Sequence, residues 1–259
     1  MRTLMSTALL VATMALVVAA RAQVSENQRL CSAMAGVARE QRLESCTALI
    51  EAKLGTPQNL AIAFVNRGNA HVDVRAYDRA IADYDRAIEL NPNDATAFYR
   101  RGFAYRGKGR YDSAIQDYNR AIEITPRYAA AFFGRGLAYQ DKAQWDFDSY
   151  LNEGQYETLA IRDYDEAIRL NSKNAAAFHN QGNAYRSKRM YDRAMQDYDE
   201  AVRLNPNNAL YYKNRGDTFR IIGQYERAGA DYSHALSLKI DEVTKKQIEA
   251  VFKELGVSR

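Results

Sequence analysis

Histidine is scarce in this chain, with three among 259 residues, and His71, His179 and His234 lie far apart. None stands in a metal-ligand spacing such as His-Glu-x-x-His, so no metal site is expected. A Gly-x-Ser-x-Gly elbow, a phosphate-cradling glycine loop and a dinucleotide fingerprint are missing too. The Gly107-x-Gly109 pair stands alone and reads as a turn between helices. Neither an enzyme nor a bound cofactor is therefore expected. Charge of one sign is also lacking: 36 Lys and Arg against 32 Asp and Glu leave +4, less two once Arg2 and Arg21 leave with a leader. That balance does not mark a nucleic-acid binder. Past residue 22 no stretch is apolar over the ~20 residues that a membrane span needs.

The apolar run that does exist lies at the start. Arg2 supplies a positive charge, Leu9 to Ala20 is apolar or small apart from Thr13, and Ala20-Arg21-Ala22 fits a small-x-small cleavage site. Residues 1–22 thus read as a signal peptide cut after Ala22, with a periplasmic or secreted mature protein and no transmembrane segment. Export bears on the two cysteines, Cys31 and Cys46, fifteen residues apart on helical stretches around Gly36. In an oxidising compartment they read most simply as a disulfide pinning a helical hairpin. A redox or metal pair is the competing reading, and it lacks a Cys-x-x-Cys spacing and a nearby histidine. Residues 23–60 then form an N-terminal helical cap, with Pro57 marking its end.

What the chain has in abundance is one pattern, repeated. In Phe98 to Arg127, a first helix (A) carries Phe98, Gly102 and Tyr105 on one stripe. Gly107 and Gly109 interrupt it, and a second helix (B) carries Tyr111, Ala114, Tyr118 and Ala121 before Pro126 ends it. The helix A glycines recur as Gly68, Gly102, Gly136, Gly182 and Gly216, spaced by 34, 34, 46 and 34 residues. Helix B alanines and tyrosines keep the same register, and Pro92, Pro126 and Pro206 close three copies. Small residues let two helices approach while tyrosines fill the space beside them, so this is a packing code. An aspartate precedes each helix B tyrosine (Asp83, Asp117, Asp163, Asp197, Asp231), and pairing with Arg67, Arg101, Arg135 and Arg215 of the A helices is expected.

This pattern resembles the tetratricopeptide repeat, whose period is about 34 residues. The resemblance covers residues 61–242 and departs from the family in helix A: Phe64, Phe98, Phe132, Phe178 and Tyr212 stand where tryptophan is usual, and Arg or Gln precedes the glycine in place of leucine. It implies an all-α, right-handed α-solenoid with repeats at 61–94, 95–128, 129–174, 175–208 and 209–242, repeats one to five below. A capping helix follows at 243–259, with Ile248, Val251, Phe252 and Leu255 on its apolar face and Gly256 at its end. Repeat three is longer by an insertion at about 142–156, which holds the sole tryptophan, Trp145, beside Phe147 and Tyr150. These rings are contact candidates or a local mini-core. The Asp146-x-Asp148 start of the insertion does not continue as a calcium loop.

The resemblance also implies that the A helices line a concave groove. Carried over, its face holds Val65, Asn66 and Asn69; Tyr99, Arg100 and Phe103; Phe133 and Leu137; His179, Asn180 and Asn183; and Lys213, Asn214 and Asp217. The groove is then aromatic in its middle and polar toward its C-terminal part, which suits an extended peptide or a partner helix. The carboxylate clamp of some family members is matched at Asn183 and Asn214 but is incomplete, because His179 stands where its first lysine belongs and no sixth repeat supplies its final basic pair. The expected function is a monomeric, non-catalytic scaffold or adaptor of the cell envelope that binds a protein or peptide. The alternatives are an accessory subunit or domain of an envelope enzyme or assembly complex, and a secreted effector or self-assembling structural protein.

Overall fold

The computed structural model describes residues 14, 18–19, 21–33, 36–53, 55–145 and 154–255. Most of the leader, insertion residues 146–153 with Phe147 and Tyr150, and Gly256 lie outside the described residues. The described residues contain helices and turns but no strand, an all-α helical-repeat fold. After α1 (21–32) come α2 (Arg39–Glu51), α3 (Pro57–Val72), α4 (Tyr77–Leu90), α5 (Ala95–Gly107) and α6 (Tyr111–Ile124). Then follow α7 (Ala129–Trp145), α8 (Gln155–Leu170), α9 (Ala175–Ser187), α10 (Tyr191–Leu204), α11 (Ala209–Ile221), α12 (Tyr225–Ser237) and α13 (Glu242–Leu255). The chain divides into two compact units, Met1–Ile124 and Thr125–Arg259.

Each of several A helices starts where the sequence supplies a cap. The Asp94 carboxylate accepts from the amides of Thr96 (2.8 Å) and Ala97 (3.3 Å), Asn174 caps Ala177 and Asn208 caps Leu210. Thr56 caps α3, and Pro57, expected to close the N-terminal cap, occupies the first turn of α3. The turn from helix A to helix B demands a left-handed residue. It is glycine at Gly109 (φ +73°) and Gly223 (φ +79°) but arginine at Arg75 (φ +58°) and Arg189 (φ +59°). Gly107, read from sequence as part of the helix break, is instead the last residue of α5. A Cβ there would lie 2.6 Å from the Tyr77 ring, so Gly107 is small for packing, and Gly109 makes the turn.

Packing within a helix pair rests on a glycine of helix A under a tyrosine of helix B. A Cβ on Gly68 or Gly136 would lie 2.7 Å from the Tyr84 or Tyr164 ring, and on Gly182 2.8 Å from Tyr198. Around this contact the helix B alanines are fully buried. The aspartates sit beside it, and all but Asp197 are buried. The expected ion pairs form at four of five positions: Arg67 with Asp83 (2.7 Å), Arg101 with Asp117 (2.7 Å), Arg135 with Asp163 (2.6 Å) and Arg215 with Asp231 (2.7 Å). Each arginine holds its aspartate through Nε as well as a terminal nitrogen.

In the first unit α3 packs with α4 and α5 with α6, and α2 lies on α3. Cys31 and Cys46 form a disulfide that is almost fully buried and packs with Leu49 on Ala63 of α3. In the second unit α7–α8, α9–α10 and α11–α12 are the pairs. It closes on α13, whose Ile248 and Phe252 are buried, the Phe252 ring meeting Tyr232 edge-on at 6.0 Å. The α13 helix is capped by Asp241, which accepts from the Thr244 amide (2.9 Å).

Candidate functional site: the faces of the A helices

The residue after each helix A glycine is the best guide to what the A face can do. Where it is polar, it takes the phenol of its own repeat. Tyr84 donates to Asn69 (2.8 Å), Tyr198 to Asn183 (2.8 Å) and Tyr232 to Asp217 (2.8 Å). Burial pushes all three phenols up in pKa, so they remain donors. Asn69, Asn183 and Asp217 are therefore partly structural residues. In repeats two and three this position is Phe103 and Leu137, and Tyr164 turns instead to Gln140 (2.8 Å).

In the first unit, Val65 is buried in the core of α3, α4 and α5, so it does not belong to an open face. On α5, Tyr99, Arg100 and Phe103 share one side. Arg100 lies 5.6 Å from the Tyr99 ring, its Nε buried with no hydrogen-bond partner, and Phe103 is 38% exposed. An exposed ring on the same side as a cation offers apolar contact and positive charge at once.

In the second unit most predicted groove residues are engaged with one another. Phe133 tilts against Tyr164 at 5.9 Å, and Leu137 is half-buried. His179 is 5% exposed and stacks on Tyr211 at 4.7 Å, and burial lowers its pKa to about 4. The imidazole is thus neutral at physiological pH and accepts from Asn214 (2.8 Å), which also donates to Asn183 (3.2 Å). Asn180 donates to the Ala176 carbonyl of its own helix (2.8 Å). At the two clamp positions, the Asn214 amide nitrogen and the Asn183 carbonyl oxygen are thereby engaged inside the protein. Lys213 pairs with Asp217 (2.9 Å), and Arg186 approaches the same carboxylate (3.8 Å).

Sequence reasoning missed Arg186 and Arg220. Both stand four residues after a helix A glycine, as does Arg106, and that repetition was the available signal. With Lys213 and Asp217 they line a cavity of about 560 Å³ that Ile221, Ile248 and Val251 wall on its apolar side.

The described ends of the insertion join the neighbouring helices. Lys142 to Trp145 extend α7, and Gln155 and Tyr156 open α8. Tyr156 stacks on Tyr139 (6.4 Å) under the Lys142 ammonium, whereas Trp145 is 63% exposed. Among the described residues no three His, Cys, Asp or Glu side chains converge as a metal-binding group. None of their helices is long and apolar enough to cross a membrane.

Comparison with known proteins places this geometry. Models of the tetratricopeptide repeat match residues 68–109 and 104–142, 175–208, and 197–230. No curated protein matches the chain. Among solved structures, YrrB, a TPR protein with an unusual peptide-binding site, is 24% identical (TM-score 0.56; 80% of this chain and 99% of that one). A tetratricopeptide repeat protein of Parabacteroides merdae is 21% identical (TM-score 0.65; 83% and 81%). A thermophilic TPR protein of Thermus thermophilus is 20% identical (TM-score 0.60; 75% and 98%). At these identities the likeness is one of fold.

Proposed function

Because the chain belongs to the tetratricopeptide-repeat family, a family of protein-interaction scaffolds, we propose that it is a non-catalytic adaptor of the cell envelope. It binds a protein or peptide segment on the faces of its A helices. The observation that carries this reading is the α5 face, where the Arg100 guanidinium lies over the Tyr99 ring, itself tilted against Tyr118, and Phe103 on the same side is exposed. A segment with an apolar side chain and an acceptor would meet the Phe103 ring and the Arg100 charge together. YrrB, a TPR protein with a peptide-binding site, is a precedent for such use of the fold. Export is supported by the Arg2 and Leu9–Ala20 leader and by the Cys31–Cys46 disulfide, which suits an oxidising compartment. The helix pairs from α3 to α12 correspond to five repeats, with α1 and α2 as N-terminal cap and α13 as C-terminal cap.

The exposed Trp145 at the end of α7 supports a second reading, recognition by the repeat-three insertion. Affinity capture from envelope extract with the chain from Gln23, in parallel with Arg100→Ala/Phe103→Ala and Trp145→Ala, separates the two. Loss of the captured partner with the α5 variant alone supports the A-face reading. Loss with Trp145→Ala alone moves recognition to the insertion. Capture unchanged by both variants rejects both surfaces.

A further inference from the structure

The cavity between α11 and the capping helix α13 reaches the core residues Tyr232 and Ile248, and its lining is of mixed character. It is lined by the cations Lys213, Arg186 and Arg220 with a single carboxylate, Asp217, and by the apolar side chains of Ile221, Ile248 and Val251. Asp217 is already committed three ways, to Lys213 (2.9 Å), to Arg186 (3.8 Å) and to the Tyr232 phenol (2.8 Å). Three cations against one shared carboxylate leave the cavity with an excess of positive charge beside an apolar surface. At about 560 Å³ it is within the usual range of ligand sites.

We infer that this cavity receives an acidic side chain of a partner segment, with a neighbouring aliphatic residue lying on Ile221 and Val251. The inference rests on the reading of the A faces as peptide-binding and names what the second unit selects. Charge complementarity argues for the anion: a carboxylate entering beside Lys213, Arg186 and Arg220 meets a surplus of donors, whereas a cation meets only the committed Asp217. A grip on a chain-terminal carboxylate is disfavoured, since the Asn214 amide that would donate to it already donates to His179 and to the Asn183 Oδ1.

The test uses the full mature chain with its disulfide intact and two capped probes, acetyl-Gly-Leu-Asp-Leu-Asp-Gly-amide and its Asn counterpart. Isothermal titration is expected to show the acidic probe binding about tenfold or more tightly than the amide probe, with an advantage that shrinks as salt rises. Arg220→Glu changes an exposed side chain, so it should keep the helical signal and melting temperature while abolishing the preference. Equal binding of the two probes would overturn the acidic selectivity and leave peptide binding standing; binding of neither would overturn both. Decanoate binding more tightly than the acidic probe, and lost with Arg220→Glu, would give the cavity to an anionic amphiphile and overturn the peptide occupant.

Discussion

Repeats four and five of the second unit have the same length and the same glycine–tyrosine contact, yet they differ in one buried bond. In repeat five Arg215 holds Asp231 through two nitrogens and reaches back to Asp199 of the preceding repeat (2.7 Å). In repeat four the arginine is replaced by Gln181, whose amide donates to Asp165 (2.7 Å) and the Ile161 carbonyl (3.3 Å) and leaves Asp197 unheld. The Asp197 Oδ2 is buried with no hydrogen-bond partner. The comparison separates two roles that sequence periodicity merges. The glycine under the tyrosine is required for the helices to touch. The arginine–aspartate pair joins the two helices of one repeat and can be lost without loss of the fold, whereas the bond back to the preceding repeat is kept by Gln181 as it is by Arg215.

The largest effect should come from breaking the intact rung. Arg215→Ala leaves Asp231 buried and unpaired and should cost about 3–5 kcal/mol in urea unfolding. Gln181→Ala, at the equivalent position, removes neutral hydrogen bonds and should cost about 1–2 kcal/mol. Similar losses for the two variants would mean that the ion pair gives repeat five nothing that the amide does not give repeat four.

Next comes the unheld carboxylate. Burial, and then the charge of Asp165 on α8, push the Asp197 carboxyl up to about 7. Gln181 on α9 is neutral, and Arg215 on α11 is engaged by Asp199 and Asp231. The folded state therefore keeps a proton that the unfolded chain releases near pH 4, so this group's contribution to stability falls as pH rises from about 4 to about 7. Asp197→Asn should remove that slope and stabilise the protein by about 1–3 kcal/mol at pH 8, read from unfolding midpoints across pH. His179 has the opposite sign. Its folded pKa of about 4 lies below the usual histidine value, so its contribution is present above about 6.5 and lost as pH falls toward 4. Above pH 6.5 the slope should thus belong to Asp197, and a wild type with no fall in stability there would contradict the assignment.

The smallest contrast lies in the turns between helices. Arg189 of repeat four holds the left-handed backbone that Gly223 supplies in repeat five. Arg189→Gly should stabilise by a few tenths to about 1 kcal/mol, and Gly223→Ala should destabilise by about 1 kcal/mol, both seen as shifts in melting temperature. Equal and negligible shifts would show that the turn tolerates either residue.

Much of the fold was legible before any coordinates, for a simple reason. A repeat writes each packing requirement several times, so Gly68, Gly102, Gly136, Gly182 and Gly216 reveal a constraint that one glycine would not. The arginine–aspartate pairs were legible for the same reason, with repeat four, where Gln181 stands, as the visible exception. The candidate site was less legible because its residues are those in which the copies differ. Asn183 and Asn214 looked like groove donors, but their hydrogen bonds to Tyr198 and His179 depend on distances between different helices. Arg186 and Arg220 were passed over because a cation near the end of a helix reads as solvated until α13 is placed beside it.

By itself the sequence determined the helix pairs, their period, the close glycine–tyrosine contact and the cysteine pair, all set by short-range geometry and repetition. Only the tertiary structure decided which polar side chains are spent on their own repeat and which stay open to a partner. Burial and hydrogen-bond satisfaction depend on neighbours brought in from other helices, and no spacing along one helix specifies them.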